Sequence, residues 1–309
     1  MTVYSLESAI IDLVLSVPYI PSAGGDVLGE DFRETPGGGI YPLLASRRCG
    51  VPSTYLGRCG SGPRGSLIQN LFAKEGISSF LPATNERDTG FCITMVEPNS
   101  ERTFITHAGI EAEITTGLYK ELKYAADDYL IVSGYDLAYS TSQVAIVEHL
   151  QSMASGTLAF DPGPLVGEIP IALLEQVLVR TQILSLNERE FQLLGGDATA
   201  LIKRLAHDAI IVLRDGAKGS TLIDGAMITH LDAPRVDSID STGAGDIHLG
   251  TLLAMRARNL DWLTSLYVAN VAAAISVTKF GPEKVPTFDE IRMSPLFQSD
   301  KYSALEGVD

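Results

Sequence analysis

In the second half of the chain, short apolar runs alternate with segments whose apolar residues recur at helical spacing. Residues 130–133, 157–160, 182–186 and 209–213 read as strands, and residues 141–153, 171–178 and 197–206 between them as helices. Strands fed by crossover helices predict a parallel sheet covered on both faces. Glycine-rich punctuation follows two of the strands, at Asp161-Pro162-Gly163-Pro164 and Asp215-Gly216. In doubly wound sheets, ligands bind beyond such strand ends. Two long helical patterns follow, over 244–258 and 262–278. The second carries Ala269, Ala272, Ala273 and Ala274, which permit close packing, and Phe280-Gly281-Pro282 ends it.

The first third has a different rhythm. Residues 13–20, 89–97 and 102–107 look like β segments joined by turns such as Glu97-Pro98-Asn99-Ser100, without a crossover helix after each. They predict a small, mostly antiparallel sheet, a lid formed by segments at about 13–35 and 88–109. It interleaves with main-sheet elements such as a helix over 43–49. Residues 2–17 read as one buried strand, and a loose tail is expected from about Gln298. The expected fold is α/β: a doubly wound, mainly parallel sheet with helices on both faces plus a small β lid, in a single domain over 1–309.

Composition narrows the function classes. Of 309 residues, 45% are hydrophobic and 20% charged, which suits a folded domain rather than a disordered one. The net charge of −15 comes without a basic stripe, so no nucleic-acid partner is expected. It also means that any site for an anionic ligand must be local, built from amides, dipoles or a metal. Cys49, Cys59 and Cys92 lack metal-ligand spacing. Their odd number and the lack of a secretory pattern lead us to expect reduced thiols in the cytoplasm. No apolar run is long enough to span a bilayer, so no membrane partner is expected.

Two glycine-rich stretches compete as anion sites. Gly60-Ser61-Gly62-Pro63-Arg64-Gly65 matches the dinucleotide spacing after a strand at 54–56 and before a helix at 67–74. No strand ending in an acidic residue follows at the usual distance; Glu86 and Asp88 fall in a polar loop, so a plain strand-to-helix turn is expected. The stronger candidate is Asp240-Ser241-Thr242-Gly243-Ala244-Gly245-Asp246, at the head of the helix over 244–258. Gly243, Ala244 and Gly245 let backbone N–H groups approach an anion, and the helix dipole favours it there. Asp246 would repel that anion. It is either an N-cap or a general base beside a bound phosphate.

The heptad closely resembles the signature of the ribokinase-like (PfkB) carbohydrate kinases, and the likeness runs in order from about Val3 to Pro286. Asp12 matches the position that holds acceptor hydroxyls, and Gly37-Gly38-Gly39 a glycine-rich substrate motif. Glu101-Arg102-Thr103-Phe104 resembles a lid strand, Asn187-Glu188-Arg189-Glu190 an N-x-x-E motif, and Gly216-Ala217-Lys218-Gly219 the turn near the nucleotide. The resemblance implies transfer of the γ-phosphoryl group of ATP to an alcohol. Asp246 would be the general base, and the amides of Gly243, Ala244 and Gly245 would hold the developing charge. Substrate contacts would come from Asp12, Gly38, Gly39, Tyr41 and Arg102, and nucleotide contacts from Asn187, Glu190, Gly216, Gly219, Asn270 and Gly281. Glu190 would serve Mg²⁺ through water, while Asp240 and Thr242 would neighbour a monovalent cation such as K⁺. Pairing through the lid into a homodimer is also implied.

Other readings of the same residues stand beside these. Asp12 needs either a donor or a polar ligand if buried. Asn187 and Glu190 alone spell a capping box, and Arg102 is either a substrate contact or a solvated charge. His248 lies one turn into the heptad's helix, in reach of the pocket. The chain also departs from the family pattern. Tyr41 stands where an Asn usually reaches a sugar hydroxyl, Pro36 at the first glycine of its motif, and Thr251 where Ala or Gly is preferred. Tyr offers one hydroxyl where Asn offers an amide, which leaves the acceptor open. A small-molecule sugar or sugar-like alcohol is expected. A nucleoside, or a degenerate ligand-binding regulator, is the alternative.

Overall fold

A computed structural model describes residues 1–99 and 101–298. The position of Ser100 and most of the expected tail beyond Gln298 lie outside the described residues. The strands are β1 (Val3–Ser5), β2 (Ala9–Ser16), β3 (Asp31–Gly38), β4 (Ser53–Tyr55), β5 (Ser78–Ser79), β6 (Phe91–Val96), β7 (Arg102–His107), β8 (Tyr129–Ser133), β9 (Thr157–Asp161), β10 (Ile183–Asn187), β11 (Ile210–Arg214), β12 (Ser220–Asp224) and β13 (Met227–Leu231). The helices are α1 (Ile40–Arg48), α2 (Pro63–Glu75), α3 (Gly134–Ala138), α4 (Gln143–Ser152), α5 (Ile171–Leu178), α6 (Glu188–Leu193), α7 (Ala198–Ile202), α8 (Ala244–Ala257), α9 (Trp262–Ser276) and α10 (Phe288–Met293).

The large sheet runs β13-β12-β11-β10-β9-β8-β1-β4-β5. It is parallel from β11 to β5 and antiparallel at the β12–β13 edge. Alternation along its strands makes it two-faced. Ile131, Ala159, Ile183 and Val212 face a core shared with α1, α8 and α9. Leu130, Phe160, Leu184 and Ile211 face the opposite core, shared with α4 and α5. The smaller sheet runs β3-β2-β6-β7, with β2 and β6 parallel and both outer pairs antiparallel.

Residues 2–17 are not one strand. The chain leaves the large sheet after Ser5 and enters the small one at Ala9. Hydropathy does not reveal this crossing, because a distant contact holds it: the amide and hydroxyl of Ser8 both donate to Asp136 Oδ1, at 3.0 and 2.7 Å. The β12–β13 hairpin was also not anticipated, although Asp224-Gly225, with Gly225 at φ 57°, is a strong hairpin turn. Helices α1 and α2 begin earlier than expected, and α7 is shorter. Among the described residues no helix is long and apolar enough to cross a membrane.

The crossing of α1 and α8 sets the position of the heptad. Ser46 Oγ donates to Gly250 O at 3.0 Å, and a Cβ on Gly250 would lie 2.3 Å from Pro42 O. Gly250→Ala should therefore destabilise the protein. The helix-propensity gain of about 1 kcal/mol is outweighed by overpacking of roughly 1–3 kcal/mol or more. A lowered melting temperature is the expected readout, and a raised one would mean that the helices separate freely.

Candidate active site

The C-terminal ends of three adjacent parallel strands each place a polar side chain at one rim: Asp161 from β9, Asn187 from β10 and Arg214 from β11. Facing them is the N-terminus of α8. Gly243 caps it at φ 69°, a left-handed conformation that glycine adopts without strain. Asp246 is the third helical residue. The N–H of Ala244 donates to Ser241 O at 3.2 Å. Among the described residues, those of Gly245 and Asp246 meet no acceptor, as expected of an unfilled helix start. Gly245 matters for a second reason: a Cβ there would fall 2.5 Å from Arg214 Nη1.

This rim is crowded with acid. Arg214 pairs with Asp161 at 2.8 Å and lies 3.6 Å from Glu190. Burial pushes Asp246 up to about 7; the charge of Asp161 adds to this, and Arg214 and Lys284 oppose it. Glu190 and Glu7 are raised too, each first by burial, then by Asp161 and Asp246 respectively. Burial works against the charge of Arg214, but Asp161 and Glu190 outweigh it and hold the guanidinium protonated. Asn187 and Glu190 form a reciprocal cap on α6. Asn187 Oδ1 accepts from the Glu190 amide at 3.0 Å, and Glu190 Oε2 accepts from the Asn187 amide at 2.8 Å. The capping-box reading thus holds, and the same pair stands at the rim.

A cavity of about 350 Å³ opens beside this rim. Asn187, Arg214, Gly216, Gly219, Ala244 and Gly245 line its polar end, while Pro234, Val236, Ala273, Ala274 and Val277 supply apolar wall. Asn270 also lines it, but its amide is already committed. Oδ1 accepts from Ser220 Oγ at 2.8 Å and lies 3.0 Å from His248 Nε2, and Nδ2 donates to Leu231 O at 3.1 Å. His248 does reach the cavity. Burial, then Arg214, lowers its pKa to about 3, so it is neutral. Gly281 is not a cavity residue: it lies near Glu283 and Thr35 of β3 and heads the turn that carries Lys284.

On the other side of the heptad the small sheet closes in. Asp12 projects from β2, and Gly37 leaves it room, since a Cβ there would meet Asp12 Oδ2. Burial raises Asp12 to about 6, with Lys284 opposing. Gly38, at φ 62°, and Gly39 abut the carbonyls of Ser8 and Glu7, so they let the chain cross itself rather than face open space. Tyr41 is 2% exposed, with its ring packed against Gly243. It therefore does not replace the expected Asn as an open contact. Arg102 is committed as well: Nη2 pairs with Asp240 Oδ1 at 2.9 Å, and Nη1 donates to Thr242 Oγ1 at 2.8 Å. Lys284 Nζ sits 3.1 Å from Asp240 Oδ2 and donates to Thr242 O. The oxygens expected to neighbour a K⁺ ion are thus already held by two cations of the chain, and they do not fit that ion.

Lys284, Arg214, Asp161 and Glu7 were not foreseen. A glycine followed closely by a lysine after a long helix is too common to flag Lys284, and Arg214 falls just past the apolar run 209–213 with no local pattern to mark it. The competing GxGxxG turn has its own anion. Asp88 accepts from the amides of Gly65 at 3.0 Å and Arg64 at 3.1 Å, so the chain's own carboxylate fills the start of α2.

Residues 2–287 match the family described as pfkB family carbohydrate kinase. A relative from Escherichia coli K12, named uncharacterized sugar kinase YegV, is 28% identical over 302 residues, 95% of this chain and 94% of its own length. The ribokinase of Haemophilus influenzae is 26% identical over 303 residues, with 94% and 96% covered. Among solved structures, the ribokinase of Thermotoga maritima superposes with a TM-score of 0.82 at 21% identity, covering 94% of this chain and 98% of that one. At those identities the structural likeness establishes the fold. With nearly the whole chain matched, this protein belongs to the pfkB family of carbohydrate kinases.

Proposed function

We propose that the protein transfers the γ-phosphoryl group of ATP to a hydroxyl of a sugar or sugar-like alcohol. One observation carries this reading: a half-buried carboxylate, Asp246, stands in the first turn of α8 beside amides that meet no acceptor among the described residues and beside the Arg214 guanidinium. An incoming hydroxyl gives its proton to Asp246 as its oxygen bonds to the γ-phosphorus, and the bond from that phosphorus to the β-phosphate oxygen breaks so that ADP leaves. The amide of Gly245, with that of Gly243 beside it, and Arg214 receive the charge that develops on the phosphoryl oxygens; the Ala244 amide is already turned to Ser241. The apolar wall of Pro234, Val236, Ala273 and Ala274 suits a nucleotide base, and the polar end, with Gly216 and Gly219, its phosphates.

Among the described residues no three acids lie close enough to cage a metal directly, so a Mg²⁺ ion would be met here through its water shell. Arg214 is the cation that opposes the raised pKa of each of Glu7, Glu190 and Asp246, joined by Lys284 at Asp246, and all three acids are still held above their ordinary range. Asn187 and Glu190 would hold the ion through its water shell. When bound, Mg²⁺ neutralises the phosphate tail.

Asp12 is the residue placed to orient the acceptor. It faces the heptad from the small sheet, is half-buried, and among the described residues its carboxylate accepts no hydrogen bond, with only the charge of Lys284 opposing its raised pKa. A nucleoside would need an aromatic slot beside Tyr41, and that ring is packed away under Gly243; this favours the sugar reading. The small sheet also exposes Phe32 on one edge strand and Phe104 and Ile105 on the other, which supports pairing of two copies through the lid. The buried free thiols of Cys49, Cys59 and Cys92 suit a cytoplasmic setting.

Asp246→Asn should lower turnover by about 10²–10⁴-fold while ATP affinity, followed by calorimetry, stays within a few-fold. Retained turnover in the purified variant would remove Asp246 from the base role. The base must be ionised before it accepts a proton, and its pKa lies above the ordinary carboxylate range at about 7. Accordingly kcat/KM should rise with pH up to about 7 and then level off. A profile flat down to pH 5 would contradict the assignment. Light scattering should give the mass of a dimer, and Phe104→Asp should shift it toward that of a monomer.

A further inference from the structure

Among the described residues Lys284 is the buried lysine, and its side chain is 0% exposed. It ends the turn Pro282–Lys284, which starts from Gly281 at φ 63° just beyond α9. Its ammonium meets three partners. It lies 3.1 Å from Asp240 Oδ2, donates to the carbonyl of Thr242, and sits 4.9 Å from the centre of the Tyr41 ring. The remaining oxygens of the same two residues are also engaged. Asp240 Oδ1 is paired with Arg102 at 2.9 Å and accepts from the Thr242 amide at 3.0 Å, and Thr242 Oγ1 accepts from Arg102.

Each of these contacts acts on the turn that leads into α8. Holding the Thr242 carbonyl toward Lys284 points the Gly243 amide of the same peptide unit the opposite way. The Tyr41 ring fixes the position of Gly243 from below. A cation placed here also acts on the carboxylates across the turn, since Lys284 opposes the raised pKa values of both Asp12 and Asp246. A monovalent metal ion at Asp240 and Thr242 would do the same two things, orienting the turn and balancing the acids. It would have to share its oxygens with an ammonium and a guanidinium, against like-charge repulsion.

We propose that Lys284 is a built-in monovalent cation: its ammonium takes the place of a K⁺ ion on Asp240 and Thr242, so that the protein needs no K⁺ and removing the side chain creates a site that K⁺ can fill. The inference rests on the phosphoryl-transfer reading for its consequence but not for its test. Lys284 is a positioning residue, acting through the turn rather than on the reacting atoms.

The test compares wild type, Lys284→Ala and Lys284→Gln in potassium, sodium and choline chloride at matched ionic strength. Thermal unfolding is measured without substrate, and kcat and KM for ATP with it. The wild type should melt at the same temperature in all three salts and turn over at the same rate. In choline, Lys284→Ala should melt lower and lose about 10²-fold in kcat, the scale of loss for a displaced catalytic turn. Adding K⁺ should raise its melting temperature saturably, as binding to the folded state requires, and restore part of kcat. Wild-type stabilisation or activation by K⁺ over choline would overturn the proposal, and so would a folded Lys284→Ala whose melting is indifferent to K⁺. If Lys284→Ala does not fold, Lys284→Gln and the wild-type arm decide by the same criteria. If no alcohol is phosphorylated by the wild type, the kinase reading fails while the melting experiment still reports on the cation site.

Discussion

The Asp240 carboxylate, gripped on one oxygen by Lys284 and on the other by Arg102, is the interaction on which the rest of the site depends. It joins three remote parts of the chain: the heptad turn, the turn after α9, and β7 of the small sheet. Burial alone would push this carboxylate up. Lys284 and the Thr242 amide outweigh that cost and hold it below its ordinary range. Breaking one arm leaves a charge poorly compensated in a dry place, which is far costlier than never having paired it. The pairing thus ties the small sheet to the mouth of α8 and fixes the turn that aims the amides.

Across that mouth the balance runs the other way. Asp161, Asn187 and Arg214 end neighbouring parallel strands, so the sheet itself delivers a carboxylate, an amide and a guanidinium to one rim. Glu190 and Asp246 come from the first turns of α6 and α8, where acids favour the helix dipole. The result is a buried surplus of acid around one arginine, with Asp246 poised near neutrality. Such a rim is poorly suited to a bare phosphate, which is why the proposed function brings Mg²⁺ in with the nucleotide. The chain's overall charge of −15 makes that local arrangement more necessary, since long-range attraction offers an anionic nucleotide no help.

The fold was legible where periodicity reports burial on its own. Strands β8 to β11 are nearly continuous apolar runs, as strands buried on both faces must be, and helices α8 and α9 are long enough to be unambiguous. It was less legible at Leu6, Glu7 and Ser8, where an apolar stretch passes from one sheet to another. That crossing is enforced by Asp136, some 128 residues away in the chain. The glycines at 37–39 were visible as a motif. Their use was not, because it consists of close approach to Asp12, Ser8 and Glu7.

By itself the sequence determined the chemistry at the head of α8: a glycine turn, a helix start and an acid at a set spacing, all local and readable in seven consecutive residues. It also offered Asn187 and Glu190 as a capping box, a pattern that closes within four residues and that the structure contains. Only the tertiary structure decided which charges those groups meet. Lys284 lies 44 residues from Asp240 and Arg102 lies 140 from Thr242, and no local pattern constrains partners so far apart. Electrostatic neighbours and burial set whether an acid is ionised, whether a turn needs a metal ion and whether a tyrosine faces a ligand, and both are properties of the packed molecule.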